Sequence, residues 1–266
     1  MNKLFNGLSV VNVELTSRCN KDCWMCGRRK MDREYPEKAM KYGDMNFELV
    51  QSISRQLPEG IVVQLHNNGE SLLYPRFGDA ARLFDKQIRC LDTNGKLIVE
   101  KADEIIGNLD TITFSVIEKD DEADAQYGLI KKFFKLKGNK KPFVIIRALG
   151  DVDLERYEEL DALTIARVLH SPSGSFNYKK KPTIPEIGIC LDMLNHMCIS
   201  RDGGVSICVR FDPSGRGIIG DANKAPLTGI WNSRKRKHWL QYHIEGKRAK
   251  VPLCGNCEFW GVPTGY

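Results

Sequence analysis

The chain has 266 residues, 42% of them hydrophobic, and a formal charge of +6, enough apolar mass for one large core or for a core with a smaller appended module. Its longest apolar runs, such as Gly60 to Leu65 and Val144 to Ile146, fall far short of the ~20 residues of a membrane span. Met1 to Leu8 also lack the features of a secretory signal, so a soluble, cytoplasmic protein is expected.

Short β-branched or aromatic runs alternate with helix-like segments, the pattern of β/α units on a parallel sheet. Strands are predicted over Leu8 to Leu15, Ile61 to Leu65, Ile88 to Asp92, Thr111 to Val116, Phe143 to Ala148 and Leu163 to Leu169. Helices are predicted between them over Asn46 to Leu57, Arg76 to Asp85, Val99 to Ile106, Asp124 to Leu136 and Leu154 to Leu160. The expected fold class is α/β, a partial, TIM-like barrel that stops short of eight units. Turn formers and charge gather at Ser171 to Ser175 and again at Lys179 to Pro185, which divides the chain into residues 1–182 and 183–266. Beyond that boundary, Met197 to Ser200 and Val205 to Arg210 flank Arg201-Asp-Gly-Gly204, a hairpin whose glycine supplies the turn's positive φ. One helix is expected over Pro226 to Tyr242. The stretch Arg234 to Lys250 holds seven basic residues and one acidic, Glu245, and reads as a solvated helix face or as a contact for phosphate or nucleic acid.

In a reducing compartment, nine cysteines read as metal ligands or catalytic thiols rather than disulfides. Cys19, Cys23 and Cys26 follow directly on the first strand, on the face where parallel β/α proteins place their active sites. Three thiolates with no fourth nearby suit a 4Fe-4S cluster with one iron left open. A structural zinc, which wants a closed set of four, is the alternative. Cys190, Cys208, Cys254 and Cys257 supply four thiolates, enough to close a zinc or an iron–sulfur site. Cys90, within the third strand, reads as a small apolar core residue. Cys198, at the start of the hairpin, reads as packing or as a hydrogen-atom donor.

The cysteine triplet, with Met25 before its third member, resembles the radical S-adenosylmethionine (SAM) superfamily. Asn67-Asn-Gly-Glu70 is similar to that family's Gly-Gly-Glu segment, which implies SAM amino-group binding by Asn68, Gly69 and Glu70; Asn68 and Ser71 stand where Gly and Pro are usual. Thr93-Asn-Gly95, Ser115 and Arg147 resemble the segments that line SAM's adenosine and carboxylate, with Asn94 the side chain singled out. The tail resembles the SPASM and twitch modules: Cys190, Gly203 before Cys208, Gly220, Ile230-Trp-Asn232, then Cys254 and Cys257. Ending soon after Cys257, it is nearer the twitch type with one auxiliary cluster.

The resemblance implies two 4Fe-4S clusters, one of which binds SAM. It implies reductive cleavage to a 5′-deoxyadenosyl radical and hydrogen abstraction, with the auxiliary cluster accepting an electron. A small polar substrate, a polyol, aminosugar or nucleotide sugar, would be oxidised, with an external donor such as flavodoxin or ferredoxin supplying electrons. A peptide crosslinker or epimerase is the alternative, a nucleotide- or nucleic-acid-modifying enzyme a third, and a zinc-stabilised binding module without catalysis a fourth. For the proton acceptor or substrate grip the candidates are His66, Glu70, His170 and Arg210, the last able to clamp an anion or to pair with Asp212.

Overall fold

The computed structural model describes residues 3–167, 189–255 and 257. Its core is a single nine-stranded sheet in the order β6-β5-β4-β3-β2-β1-β7-β8-β9. The first six strands are β1 (Val10–Val13), β2 (Val62–Gln64), β3 (Ile88–Thr93), β4 (Thr111–Ile117), β5 (Phe143–Leu149) and β6 (Leu163–Arg167). All six pair parallel and in chain order, as the β/α pattern required, giving the α/β partial barrel.

Residues alternate across each strand. Val11, Val13, Val63, Leu91, Ile112, Phe114, Val144 and Ile146 point to one face and are fully buried. The helices that cover the sheet are α2 (Phe47–Gln56), α3 (Phe77–Leu83), α4 (Ala102–Ile105) and α5 (Ala123–Lys137). The intervening positions, Asn12, Gln64, Asp92, Thr113, Ser115 and Arg147, share the opposite, polar face. Register aligns Cys198, Asn12, Gln64, Cys90 and Thr111 as one row across it. Cys90 is therefore only half-buried, not the core residue expected, because its strand parity places it on the polar face.

Several elements differ from expectation. A helix α1 (Gly27–Glu34) follows Cys26; its sequence, GRRKMDRE, has too few apolar residues to show a period. The segment at 154–160 forms only a 3-10 turn, Glu155–Tyr157, and α4 is a single turn. The helix expected over 226–242 is two, α7 (Leu227–Trp231) and α8 (Arg234–Ile244). Ser233 breaks the run because its hydroxyl caps α8, accepting from Arg236 N at 3.3 Å.

The hairpin is present as β7 (His196–Ile199) and β8 (Gly204–Ser206), antiparallel, with Gly203 at φ +92° in the turn. A short helix α6 (Leu191–Asn195) precedes it and β9 (Ile218–Asp221) follows. The unforeseen feature is that β7 pairs parallel with β1, so the C-terminal hairpin extends the barrel's own sheet. Trp231 Nε1 donates to Asn6 O at 3.0 Å, tying α7 to the N-terminus. No helix among the described residues is long and apolar enough to cross a membrane.

Candidate active site

The first cysteine loop leaves the C-terminal end of β1 and closes on itself, Cys26 N donating to Cys23 O at 3.0 Å. Basic residues hold it from both sides. Arg29 donates to the carbonyls of Cys19 (2.9 Å) and Lys21 (3.3 Å), and buried Arg28 donates to Ser17 O. Lys21, its side chain 4% exposed, donates to Asp120 Oδ1 at 2.9 Å and Glu122 Oε2 at 2.8 Å. Burial opposes its charge, but the two carboxylates outweigh that and raise its pKa. Trp24 Nε1 reaches Glu118 O at 2.9 Å, so the loop after β4 clamps the loop after β1. Lys21→Met strands Asp120, which is nearly buried, without its partner. This is expected to cost roughly 3–5 kcal/mol in urea unfolding of the apoprotein, and an unchanged midpoint would show that the clamp is not formed.

The loop after β2 crosses directly over the same region. Glu70 N donates to Arg18 O at 2.7 Å, and a Cβ on Gly69 would lie 2.0 Å from Thr16 O, so only glycine fits. Glu70 itself is 2% exposed. Its Oε1 accepts from Thr93 Oγ1 (2.9 Å) and Leu72 N (3.2 Å), and its Oε2 from Asn94 N (2.8 Å). Burial raises the carboxyl's pKa against these three donors. A carboxylate has about four acceptor positions, so Glu70 joins the loops and keeps one position on Oε2. Sequence reasoning missed Glu14, 1% exposed, which accepts from Asn68 N (3.0 Å) and Arg201 N (3.1 Å). It fastens the β2 loop and the hairpin turn to β1.

On the polar face, Asp92 meets His66 Nε2 at 3.3 Å and pairs with Arg147, while its backbone N donates to His66 Nδ1 at 3.3 Å. Burial pushes the Asp92 carboxyl up, but His66 and Arg147 outweigh it and hold it below the ordinary carboxylate range. Burial lowers the pKa of His66. Asp92 was not foreseen, although an acid at the end of a strand, on the same face as an arginine two positions further along the next strand but one, was a usable signal. Arg147 Nε is buried without a hydrogen-bond partner. Ser115 lies beside Arg147 in register. Asn94 Nδ2 donates to Asn20 Oδ1 at 2.8 Å and lies 3.9 Å from Cys19 Sγ. Met25 is half-buried in the cysteine loop. His170 lies outside the described residues.

At the other end of the face, Cys190 starts α6 and Cys208 follows β8. Arg248 Nη1 gathers the tail pair, donating to the carbonyls of Cys254 (2.6 Å) and Cys257 (3.2 Å). Burial, then Asp192 and Cys190, raises the Cys208 thiol. Burial, then Cys190 and Cys257, pushes Cys254 up to about 12. In the first loop, burial with Cys26 and Cys19 pushes Cys23 up to about 12. Each set thus lies within electrostatic reach of itself. Among the described residues, however, no three His, Cys, Asp or Glu side chains converge tightly enough to clasp one ion. Sets of three and four thiolates are of the size that an iron–sulfur cluster takes, each thiolate on its own iron. The polar groups left over fit SAM: Glu70 Oε2 for an ammonium, Arg147 Nε for a carboxylate. Arg210 lies within electrostatic reach of Asp192, Cys208 and Arg167, while Asp212 accepts from Gly217 N at 2.7 Å and shapes its own loop.

Residues 190–258 match SPASM, the iron–sulfur cluster-binding domain family. Over 99% of its length the chain is 24% identical to the S-adenosyl-L-methionine-dependent 2-deoxy-scyllo-inosamine dehydrogenase of Niallia circulans, covering 97% of that protein. The chain is therefore similar over nearly its whole length to a SAM-dependent dehydrogenase, and its tail to an iron–sulfur cluster-binding domain. Its fold is shared with BtrN in complex with AdoMet and 2-DOIA (TM-score 0.60, 19% identity, 94% of this chain and 92% of that one). The fold is shared too with Streptococcus suis SuiB bound to its precursor peptide SuiA (TM-score 0.63, 14% identity, 95% of this chain and 71% of that one). The donor sets are of the kind that hold iron–sulfur clusters, and the match over residues 190–258 is to a family that binds one.

Proposed function

We propose that this chain is a radical SAM enzyme that oxidises a hydroxyl-bearing carbon of a small polar substrate, an aminosugar or polyol, to a ketone. Cys19, Cys23 and Cys26 would hold the SAM-binding cluster, and Cys190, Cys208, Cys254 and Cys257, within residues 183–266, the auxiliary one. When bound, these groups supply a 5′-deoxyadenosyl radical that takes hydrogen from an unactivated carbon and a one-electron acceptor for the radical left behind. SAM would be gripped by Glu70 at its ammonium and Arg147 at its carboxylate, with Met25, Asn68, Gly69, Asn94 and Ser115 around it.

The observation that carries the reading is the placement of the two thiol sets. β7 runs parallel to β1; the first loop leaves the C-terminal end of β1, and Cys190 precedes the N-terminal end of β7. The sets therefore lie at opposite ends of one polar face, separated by strands of about 13 Å at ~3.3 Å per residue. Between them stands the Asp92–His66 pair, ionised at Asp92 and placed to receive the proton of an oxidised alcohol. Arg210, near the second set, would bind the substrate's far end. Electrons would come from an external flavodoxin or ferredoxin, approaching where exposed Trp24 and half-buried Cys23 line a cleft of about 240 Å³.

A peptide substrate is the second reading, favoured by the fold shared with SuiB bound to SuiA. Nucleic acid has less support, because much of the basic run is spent internally. Arg236 is buried on the Trp231 ring and donates to the carbonyls of Met193 (3.1 Å) and Leu194 (2.9 Å), and Lys235 donates to Ile218 O at 2.6 Å.

The test is anaerobic reconstitution with iron and sulfide, then incubation with dithionite, SAM and a panel of aminocyclitols and polyols that includes 2-deoxy-scyllo-inosamine. One ketone per 5′-deoxyadenosine is expected. SAM cleavage with no carbonyl product from any panel member, but with modification of a peptide, would overturn it. Asp92→Asn is expected to lower kcat by about 10²–10⁴-fold, the usual loss of a general base, while SAM still binds; an unchanged kcat removes the Asp92–His66 pair from the reaction.

A further inference from the structure

The partial barrel brings two arginines from its opposite edges toward one place. Strand register sets Arg167, the last residue of β6, beside Leu149 of β5. Leu149 lies two positions beyond Arg147 on the same strand, and the buried residues of β5 alternate with both, so Arg147, Leu149 and Arg167 share the polar face. Arg167 thus stands one level beyond Arg147, at the C-terminal ends of the strands, with the two Cα atoms roughly 8 Å apart from strand spacing and rise. Arg210 comes from the other side, in the chain that follows β8. β6 and β8 are seven strand spacings apart in the sheet, ~34 Å if the sheet were flat. Arg210 nevertheless lies within electrostatic reach of Arg167, so the sheet curls until these two edges face one another across the polar face.

Arg167 is half-buried. Burial, with Arg147 and Arg210, lowers its pKa, while Asp92 opposes them; Asp92 is itself held by Arg147 and His66. A guanidinium keeps its proton in a protein, so like charges stand against each other where repulsion is less screened than in water. A bound anion relieves that repulsion. A phosphoryl group suits two guanidiniums on opposite walls, since it carries close to two negative charges near neutrality and three acceptor oxygens. A carboxylate, with one charge, is satisfied by the fork of a single arginine.

We infer that Arg167 and Arg210 form a phosphoryl-binding subsite, and that the alcohol to be oxidised is carried on a phosphorylated sugar, aminosugar or cyclitol. The inference rests on the dehydrogenase reading above and narrows its substrate class. Arg147 stays with Asp92 and, on that reading, with the SAM carboxylate. Arg167 lies four residues of strand rise beyond the level of Asp92, ~13 Å, a gap that its own side chain and a sugar phosphate span together. The phosphoryl group then sits at the arginine end and the hydroxyl to be oxidised at the Asp92 end.

The experiment is anaerobic calorimetry on the reconstituted, SAM-loaded full chain with matched probes: glucose and glucose 6-phosphate, myo-inositol and myo-inositol 1-phosphate, and UDP-glucose. The phosphorylated member of a pair is expected to bind about tenfold to a hundredfold tighter than its free counterpart, the worth of charge-assisted hydrogen bonds. Arg167→Gln is expected to remove that preference, with iron counted to show that the protein still holds what the parent holds. Should it hold less, Arg167→Lys, which keeps the charge and loses the fork, is expected to bind the phosphorylated probes more weakly than the parent and the free ones equally well. Tighter binding of UDP-glucose than of glucose 6-phosphate would trace the phosphoryl group to a nucleotide sugar, the reverse order to a sugar monophosphate, and either upholds the subsite. Equal affinities within every pair, absence of binding included, or a preference that survives both Arg167 variants, would overturn the inference. Ketone formed from free aminocyclitols would then leave the dehydrogenase reading standing, whereas a peptide modified in place of every small substrate would overturn that reading and the inference together.

Discussion

Alanine at Cys23 is expected to abolish SAM cleavage, and alanine at Cys254 to leave cleavage intact while ending product formation. Both variants should fold, because neither thiol carries the local structure. The first loop is held by Arg29, Lys21 and Trp24 through backbone carbonyls and carboxylates, and the tail by Arg248 through the carbonyl of residue 254. What each variant loses, on the proposed assignment, is a ligand. With three protein thiolates on the first cluster, removal of one leaves two, too few to hold it for electron delivery to SAM. The second set lies at the far end of the polar face, so its loss leaves SAM and its cluster undisturbed but removes the acceptor for the substrate's electron. The readouts are 5′-deoxyadenosine and ketone measured in the same anaerobic reaction. Cleavage retained by Cys23→Ala would refute the assignment of the first set, and ketone formed by Cys254→Ala would refute an electron-accepting second set.

Gly69→Ala is the second large effect. The added methyl would sit 2.0 Å from Thr16 O and 2.8 Å from Arg18 O. Both are backbone atoms that no rotamer change can move. The loop after β2 must lift, which breaks the Glu70 N to Arg18 O bond and draws Glu70 away from Thr93 and Asn94 and Asn68 away from Glu14. Losing such a network costs at least ~3 kcal/mol, roughly 6–12 °C in Tm for a chain of this size. SAM binding should fall with it on the proposed assignment, since Glu70 no longer presents the remaining acceptor position of its Oε2. Thermal melting and SAM titration of the reconstituted protein measure the two losses. A melting point within ~2 °C of the parent would mean the crossing is looser than described.

The fold was legible where the signal is local. Six strands announce themselves as β-branched runs, Thr111–Ile117 and Phe143–Leu149 most clearly, because each buries one face fully. Helix α1 was illegible: polar and basic, it is held by Arg28 and Arg29 reaching back to the preceding loop rather than by an apolar stripe. Among the candidate site residues, the cysteines and Glu70 declare themselves by spacing. Asp92 and Glu14 do not, because each draws its significance from partners on other strands.

The sequence alone therefore determined the α/β partial barrel, the two thiol sets and the glycine turn at Gly203, all set by residue type over a few positions. Only the tertiary structure decided that β7 occupies the free edge of β1, that Asp92 pairs with both His66 and Arg147, and that His196 meets Asn12 across 184 positions of chain. The physical reason is the same for each. Strand register and burial bring together groups whose separation in sequence leaves no periodic trace, and a buried charge or amide then takes whatever partner that register supplies.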